Sequence, residues 1–191
     1  MRLQTLSNRF ITKALNREIG FTLSTASTAH RSYEVIRLYA EWEDFCHALF
    51  VASVVRGPYY VDGGYAARVP HYANTSELAN DLRQRSKGRP IYWGTSSVFS
   101  RWCRMINPSN QSVLVDAMTA NGSKAESLRD VRNFLAHRNE STYGRVNRVY
   151  QISNANDLIS WLSSPAVGGR SIFGTWVQSL SDVASASIRR P

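Results

Sequence analysis

Apolar residues recur at steps of three and four between Tyr33 and Arg56, which is the spacing of one face of an α-helix. No glycine or proline interrupts this stretch before Gly57-Pro58, so we predict one long helix. Its other face carries charged residues, and such an amphipathic helix is expected to form the spine of a helical bundle. The apolar positions are Val35, Leu38, Tyr39, Trp42, Phe45, Cys46, Leu49 and Phe50, and the charged positions are Arg37, Glu41, Glu43 and Asp44.

Shorter helical patterns follow, each bounded by residues that start or stop helices. Ser123 and Glu126 have the spacing of a capping box, which predicts that a helix begins there and runs to about Asn139. The other predicted helices are 75–87, capped by Thr75 and stopped by Gly88-Arg89-Pro90, 95–106, closed by Asn107-Pro108, 109–120, closed by Asn121-Gly122, 156–162 and 172–188.

The remaining segments carry turn formers or weak alternation. Residues 57–74 contain Gly-Pro, Asp-Gly-Gly and Val-Pro among four tyrosines and are predicted to form an irregular loop. Residues 145–152 alternate weakly, which favours a short extended segment, and 165–169 are predicted to be a linker. We therefore predict an all-α fold, a helical bundle with a loop insertion and small peripheral elements. Residues 31–191 form its single core, and 1–30 are either a basic arm or the first helix.

Composition and charge indicate that the chain can form a core and which class of partner it would bind. The chain has 191 residues, of which 43% are hydrophobic, enough for a substantial core. No apolar run approaches the roughly 20 residues that cross a bilayer, so we predict no membrane association. With 23 Lys and Arg against 14 Asp and Glu, the formal charge is +9. This excess favours a polyanionic partner, most simply nucleic acid.

Several common kinds of site find no support in the sequence. Cys46 and Cys103 form no CxxC pair, which favours buried free thiols in a reducing cytoplasm. His30, His47 and His71 have no second ligand at metal-binding spacing. No GxGxxG, GK[ST] or GxSxG string is present. We therefore predict no metal and no cofactor.

One segment carries residues suited to chemistry. On the helix after Ser123, Leu128, Val131, Phe134 and Leu135 share one side, and Arg129, Arg132, Asn133, His137 and Glu140 share the other. The string Arg132-Asn133-Phe134-Leu135-Ala136-His137 resembles the motif of the HEPN superfamily, whose ribonucleases carry an Arg, a polar residue and then a His late in a helical bundle.

The resemblance implies a HEPN-like bundle of four to five helices and a metal-independent endoribonuclease that cleaves single-stranded RNA, either mRNA or tRNA. It also implies a homodimer whose two motifs share one composite site. The implied setting is a toxin or antiphage defence effector, restrained by an antitoxin or a regulatory protein. In one toxin subgroup a tyrosine follows the motif histidine by two positions, where this chain has Asn139, and Tyr143 lies further on. Control by modification of such a tyrosine is therefore in doubt here.

The residue types fit attack by a ribose 2′-hydroxyl on the adjacent phosphate. Histidine is the residue type whose reference pKa, about 6.5, lies nearest neutral pH, so His137 is assigned as general acid or base. Arg132 is assigned as the phosphate clamp, and Asn133 would orient the imidazole or donate to phosphate. Substrate-binding candidates of lower rank are Arg129 and Arg138, which are otherwise surface cations, and Glu41 and Asp44 on the long helix, which would contact the motif helix.

Two other interpretations remain open. The chain could be a non-catalytic HEPN-like module that binds RNA or a nucleotide. It could also be a helical interaction protein whose basic charge steers a protein partner. RNA cleavage that depends on His137 would distinguish the ribonuclease from both of these alternatives.

Overall fold

The structure is a computed structural model. It describes residues 3–23, 25–55, 72–108, 110–152 and 154–188. Within these ranges the chain is all-α, with eight α-helices, one 3₁₀ turn and no β-strand. The helices are α1 (Leu3–Thr22), α2 (Thr28–Val54), α3 (Thr75–Arg85), α4 (Ser96–Ile106), α5 (Gln111–His137), α6 (Glu140–Tyr150), α7 (Ala155–Ser163) and α8 (Ile172–Ala186).

Four of these helices pack as a closed ring. Helix α1 packs along α2, α2 along α5, α5 along α8, and α8 along α1. Helix α4 packs on α5 and more lightly on α2, while α6 packs on α5 and α7 lies against α2 and α8. The arrangement is a four-helix bundle with shorter helices on its outside, and α1 is one of the four bundle helices.

Aromatic side chains fill the interior of the bundle. Phe10 of α1 stacks on Phe45 of α2 with ring centroids 4.9 Å apart and lies 5.4 Å from the Trp42 ring. Phe21 of α1 stacks on Phe173 of α8 at 4.3 Å. Aromatic pairs at such distances stabilise a core beyond the burial of their surface. The long helix predicted over 33–56 is confirmed as α2, because the face that points into this core is the predicted apolar one.

The helix break predicted at Asn121-Gly122 is absent from α5. This helix is continuous from Gln111 to His137, so the predicted start at Ser123 is wrong, and Ser123 lies inside the helix. The buried face continues through the junction at helical spacing, with Leu114, Ala117, Met118, Ala125 and Leu128. A glycine inside a helix costs about 1 kcal/mol, whereas each buried leucine contributes about 2 kcal/mol, so packing outweighs the local signal.

Two further boundaries differ from the sequence prediction. Residues 145–152 are not extended, because α6 extends through Tyr150 and the chain leaves it in a left-handed conformation at Gln151. Helix α3 is capped by Asn74 rather than by Thr75. The Asn74 side chain accepts the Glu77 amide at 3.0 Å, while the Glu77 carboxylate accepts the Ala73 amide at 2.7 Å. Most of the predicted loop, 57–71, lies outside the described residues.

A buried ion-pair cluster joins α1 to α2. Arg17 Nη1 lies 2.9 Å from Glu34 Oε2, and Arg17 Nε lies 3.9 Å from Glu41 Oε2. Glu34 and Glu41 are each about 5% exposed at the side chain, with His30 and Arg37 as their outer partners. Buried charges require such partners, so the cluster fixes how α1 meets α2.

None of the helices in the described ranges combines the length and apolar character that a membrane span requires. Cys46 and Cys103 are buried free thiols.

Candidate active site

The Arg–His segment lies at the carboxyl end of α5. The helix ends at His137, and Arg138 adopts a left-handed conformation with φ of 47° while its amide donates to the Phe134 carbonyl at 3.0 Å. Asn139 then caps α6 by accepting the Thr142 amide at 2.9 Å. The chain therefore turns sharply after the motif, and α6 begins beside the last turn of α5.

Residues from four parts of the fold meet at this turn and enclose a cleft of about 430 Å³. All three predicted catalytic residues, Arg132, Asn133 and His137, line it. Its other lining residues are Tyr39 and Glu43 of α2, Tyr92, Thr95 and Val98 around the start of α4, Arg129 of α5, and Thr142 and Arg145 of α6. The cleft thus holds three guanidinium groups, one imidazole and one carboxyl group.

Arg132 is oriented by two neighbours that leave its charge uncompensated at close range. Its Nη1 donates to the Asn133 side-chain oxygen at 2.9 Å, and its guanidinium carbon lies 5.8 Å from the centroid of the Tyr39 ring. Within the described ranges no carboxylate lies within ion-pair distance of Arg132. A guanidinium held in this way is ready to bind an anion such as a phosphate.

Asn133 and His137 differ in how they are held. The Asn133 side chain contacts Arg132 and not the imidazole. It therefore lies beside the predicted phosphate clamp and does not orient His137 in this structure. The His137 side chain is exposed and forms no hydrogen bond to any described residue. Its imidazole is therefore free to meet a ligand that enters the cleft.

Glu43 is a half-buried carboxyl group in the wall of the cleft. Burial raises the pKa of Glu43 above its ordinary value, although nearby Arg132 and the amides of Gly94 and Trp93 act in the opposite direction. Those amides come from the segment that precedes α4, which is tied to α2 because Trp42 Nε1 donates to the Gly94 carbonyl at 2.9 Å. The site thus gains a titratable group that sequence reasoning did not select.

The residues proposed on α2, Glu41 and Asp44, do not line the cleft. Glu41 points towards Arg17 of α1 and also pairs with Arg37 of its own helix, and Asp44 is exposed. Glu43 stands four residues after Tyr39, so the two share the face that meets α5. That i, i+4 relationship to an apolar-face aromatic was the available sequence signal.

Of the two additional arginines proposed from the sequence, Arg129 and Arg138, only Arg129 lines the cleft. Arg129 lines the cleft, where its guanidinium lies 3.1 Å from both Glu126 Oε2 and Asp130 Oδ1. Arg138 is exposed and does not line it. Arg145 lines the cleft instead and lies 4.0 Å from Asp130. Sequence reasoning missed Arg145 because it assigned that segment to an extended piece.

The described residues contain no group of three or more His, Cys, Asp or Glu side chains placed to hold a metal ion. Comparisons of the chain with protein-family models, with curated proteins and with solved structures find no match. The function of the cleft is accordingly inferred from its own residues and geometry.

Proposed function

We propose that the protein is a metal-independent endoribonuclease of the HEPN type, which cleaves single-stranded RNA at the cleft between α2, α4, α5 and α6. One observation carries the proposal. Arg132, Asn133 and His137, selected as a set from the sequence, line the same cleft, and neither the Arg132 guanidinium nor the His137 imidazole is bound to a described carboxylate. The four-helix ring with the motif late in the chain supports a HEPN-like bundle.

The proposed reaction is transesterification within the RNA strand. The 2′-oxygen of a ribose attacks the adjacent phosphorus while its proton passes to a base. The bond from phosphorus to the 5′-oxygen breaks, and that oxygen takes up a proton from an acid. The products are a 2′,3′-cyclic phosphate and a free 5′-hydroxyl. His137 moves a proton, Arg132 binds the phosphate oxygens as negative charge develops, and Asn133 orients Arg132.

Glu43 offers the second proton-transfer group that His137 alone does not supply. A carboxyl group with a raised pKa is suited to exchange protons closer to neutral pH. With Glu43 as base and His137 as acid, both proton transfers have a group in one cleft. We expect Glu43→Gln to lower the cleavage rate by about a hundredfold and to remove the acid limb of the pH profile.

The resemblance of the Arg132–His137 segment to the HEPN motif leads us to propose a homodimer in which two motifs share one composite site. Mixing chains that carry Arg132→Ala with chains that carry His137→Ala tests this. A shared cleft would recover partial activity, because the mixed dimer retains one intact arginine and one intact histidine. If each chain acts alone, the mixture stays inactive.

The central test is cleavage of mixed RNA in the presence of EDTA. The unaltered chain is expected to cleave and to leave 2′,3′-cyclic ends, while Arg132→Ala and His137→Ala abolish cleavage with the fold intact by circular dichroism. Arg148→Ala, an exposed arginine on α6 outside the cleft, serves as the matched control. RNA binding without cleavage would favour a non-catalytic module, and neither binding nor cleavage would favour the interaction protein.

We further propose that the enzyme acts in the cytoplasm as a toxin or antiphage effector. Growth arrest on expression that disappears with His137→Ala supports this setting. Restoration of growth by co-expression of a neighbouring gene product would identify the antitoxin or regulatory protein.

A further inference from the structure

A second cleft adjoins the candidate active site. It has a volume of about 410 Å³ and lies between the end of α3 and the outer face of α4. Its cationic lining residues are Arg85, Lys87, Arg89 and Arg101, and none of the described residues that line it is acidic. A concave surface with this lining attracts a polyanion, because like charges with no counter-charge raise the local positive potential.

The backbone after α3 fixes where these cations stand. Lys87 and Gly88 adopt left-handed conformations with φ of 53° and 72°, and the Gly88 amide donates to the Arg83 carbonyl at 2.9 Å. The Arg89 amide donates to the Ser86 carbonyl at 3.0 Å, which closes the turn. The loop is therefore held by backbone hydrogen bonds and presents its basic side chains from a defined position.

A local structural role accounts for only part of this charge. Cations near a helix carboxyl end interact favourably with its free carbonyl groups, which accounts for Arg85 and Lys87. Arg85 also lies 2.6 Å from Asp81 Oδ2. Arg101 stands in the middle of α4, and neither Arg89 nor Arg101 has an ion-pair partner in the described ranges. Their charge is free for a ligand.

Tyr92 joins the two clefts. Both Tyr92 and Val98 line each of them, so the clefts meet at this pair. Tyr92 is 61% exposed, whereas the neighbouring Trp93 is 7% exposed and packs in the core. The indole nitrogen of Trp102, which also lines the second cleft, donates to no acceptor among the described residues. The surface therefore offers an exposed ring between two clusters of cations.

We propose that the second cleft binds the RNA strand beyond the scissile phosphate, with Arg89 and Arg101 on backbone phosphates and a base stacked on Tyr92. The inference rests on the proposed function, since it states where the rest of that substrate lies. Single-stranded binding sites combine a basic groove with aromatic rings that bases stack on. In a duplex the base faces are covered, so the same surface selects unpaired RNA.

The probe is a 2′-O-methyl RNA of about 12 nucleotides, within the usual site size of single-strand binding proteins. It lacks the attacking 2′-hydroxyl, so binding is measured without cleavage. Arg89→Gln and Arg101→Gln are each expected to weaken binding roughly fivefold and to reduce the slope of log K against log salt by about 0.7. Tyr92→Leu should weaken binding about tenfold, while Tyr92→Phe keeps a stacking face and restores it.

Arg104→Gln is the matched control, because Arg104 is exposed on the same helix one turn after Arg101 and does not line the cleft. Binding that ignores Arg89 and Arg101 but depends on Arg132 would overturn the second cleft and leave the proposed ribonuclease standing. Binding that depends on all three, in a chain that cleaves no RNA, would support the binding surface and overturn the ribonuclease. Equal binding of a duplex, or an equal loss with Arg104→Gln, would overturn the second cleft.

Discussion

The guanidinium of Arg132 lies over the ring of Tyr39, with its central carbon 5.8 Å from the ring centroid. Tyr39 is 3% exposed and belongs to the central helix α2, whereas Arg132 stands on α5. Tyr39 is thus both a buried residue of the bundle core and a direct contact of Arg132. A substitution that moves the Tyr39 ring is expected to change how Arg132 binds phosphate.

The first prediction concerns that ring. Tyr39→Phe keeps the face under Arg132 and is expected to leave cleavage within about twofold of the unaltered chain, whereas Tyr39→Leu removes it and should lower cleavage about tenfold, since a partly desolvated cation–π contact contributes about 1 kcal/mol or more. Single-turnover cleavage provides the measurement, and thermal unfolding of both variants separates this effect from a loss of folded protein. Equal rates in the two variants would show that the ring does not orient Arg132.

The second prediction concerns stability and pH at Glu43. Burial raises the pKa of this carboxyl above 4.5 in the folded chain, so the folded state holds the proton more tightly than the unfolded state. Its contribution to stability is therefore complete at low pH and is lost as the pH rises through the raised pKa. Glu43→Gln should flatten the fall in the free energy of unfolding that begins as the pH rises above the ordinary pKa of 4.5.

Urea unfolding at a series of pH values measures this slope. Asp116→Asn, at an exposed position of α5 outside the cleft, is the control and should follow the unaltered chain. A slope in Glu43→Gln that equals the unaltered one would contradict the raised pKa.

The third prediction concerns the ion pairs between α1 and α2. Arg17→Met leaves the buried carboxylates of Glu34 and Glu41 without their shared partner, and it is expected to lower the free energy of unfolding by about 3 kcal/mol. Arg9→Met makes the same change at an exposed position of α1 and should have an effect below about 0.5 kcal/mol. Chemical denaturation of both variants decides the matter, and similar losses in the two would mean that the pairs do not stabilise the bundle.

The fourth prediction compares two helical glycines. A Cβ at Gly144 in α6 meets no atom within 4 Å, so Gly144→Ala should stabilise the protein by about 0.5–1 kcal/mol through its lower backbone entropy in the unfolded chain. A Cβ at Gly20 in α1 would lie 2.9 Å from Glu34 Cδ and Oε1 and would displace the partner of Arg17. Gly20→Ala should therefore destabilise, and thermal unfolding that moves both variants in the same direction would contradict the packing described.

The successes and failures of sequence reasoning have separate physical causes. Helix α2 was predictable because its apolar periodicity is long and free of glycine and proline. The break at Asn121-Gly122 was wrong because local turn residues weigh little against a buried face that continues on both sides. The prediction of an extended segment over 145–152 was wrong for a similar reason. Weak alternation over a few residues carries less information than the burial of Val146 in a helix that packs on α5.

The candidate site shows the same division within one helix. Periodicity placed Glu41 and Glu43 together on the polar face of α2, and only the i, i+4 spacing of Glu43 from Tyr39 distinguishes them in the sequence. In the bundle, Glu41 shares a face with Glu34, seven residues earlier, and meets α1, whereas Glu43 shares one with Tyr39 and meets α5. In the four-helix ring α2 lies between α1 and α5, and which of its residues each of these neighbours covers is a property of the packing.

The sequence by itself determined the all-α class, the long apolar helix, the positive charge and the set Arg132, Asn133 and His137. These depend on residue type and on spacing within one helix, which short-range geometry fixes. Only the tertiary structure decided that Tyr39, Glu43 and Arg145 join that set and that Tyr92 links it to a second basic cleft. Those relationships join residues from different helices, and they arise from how the helices bury their apolar faces against one another.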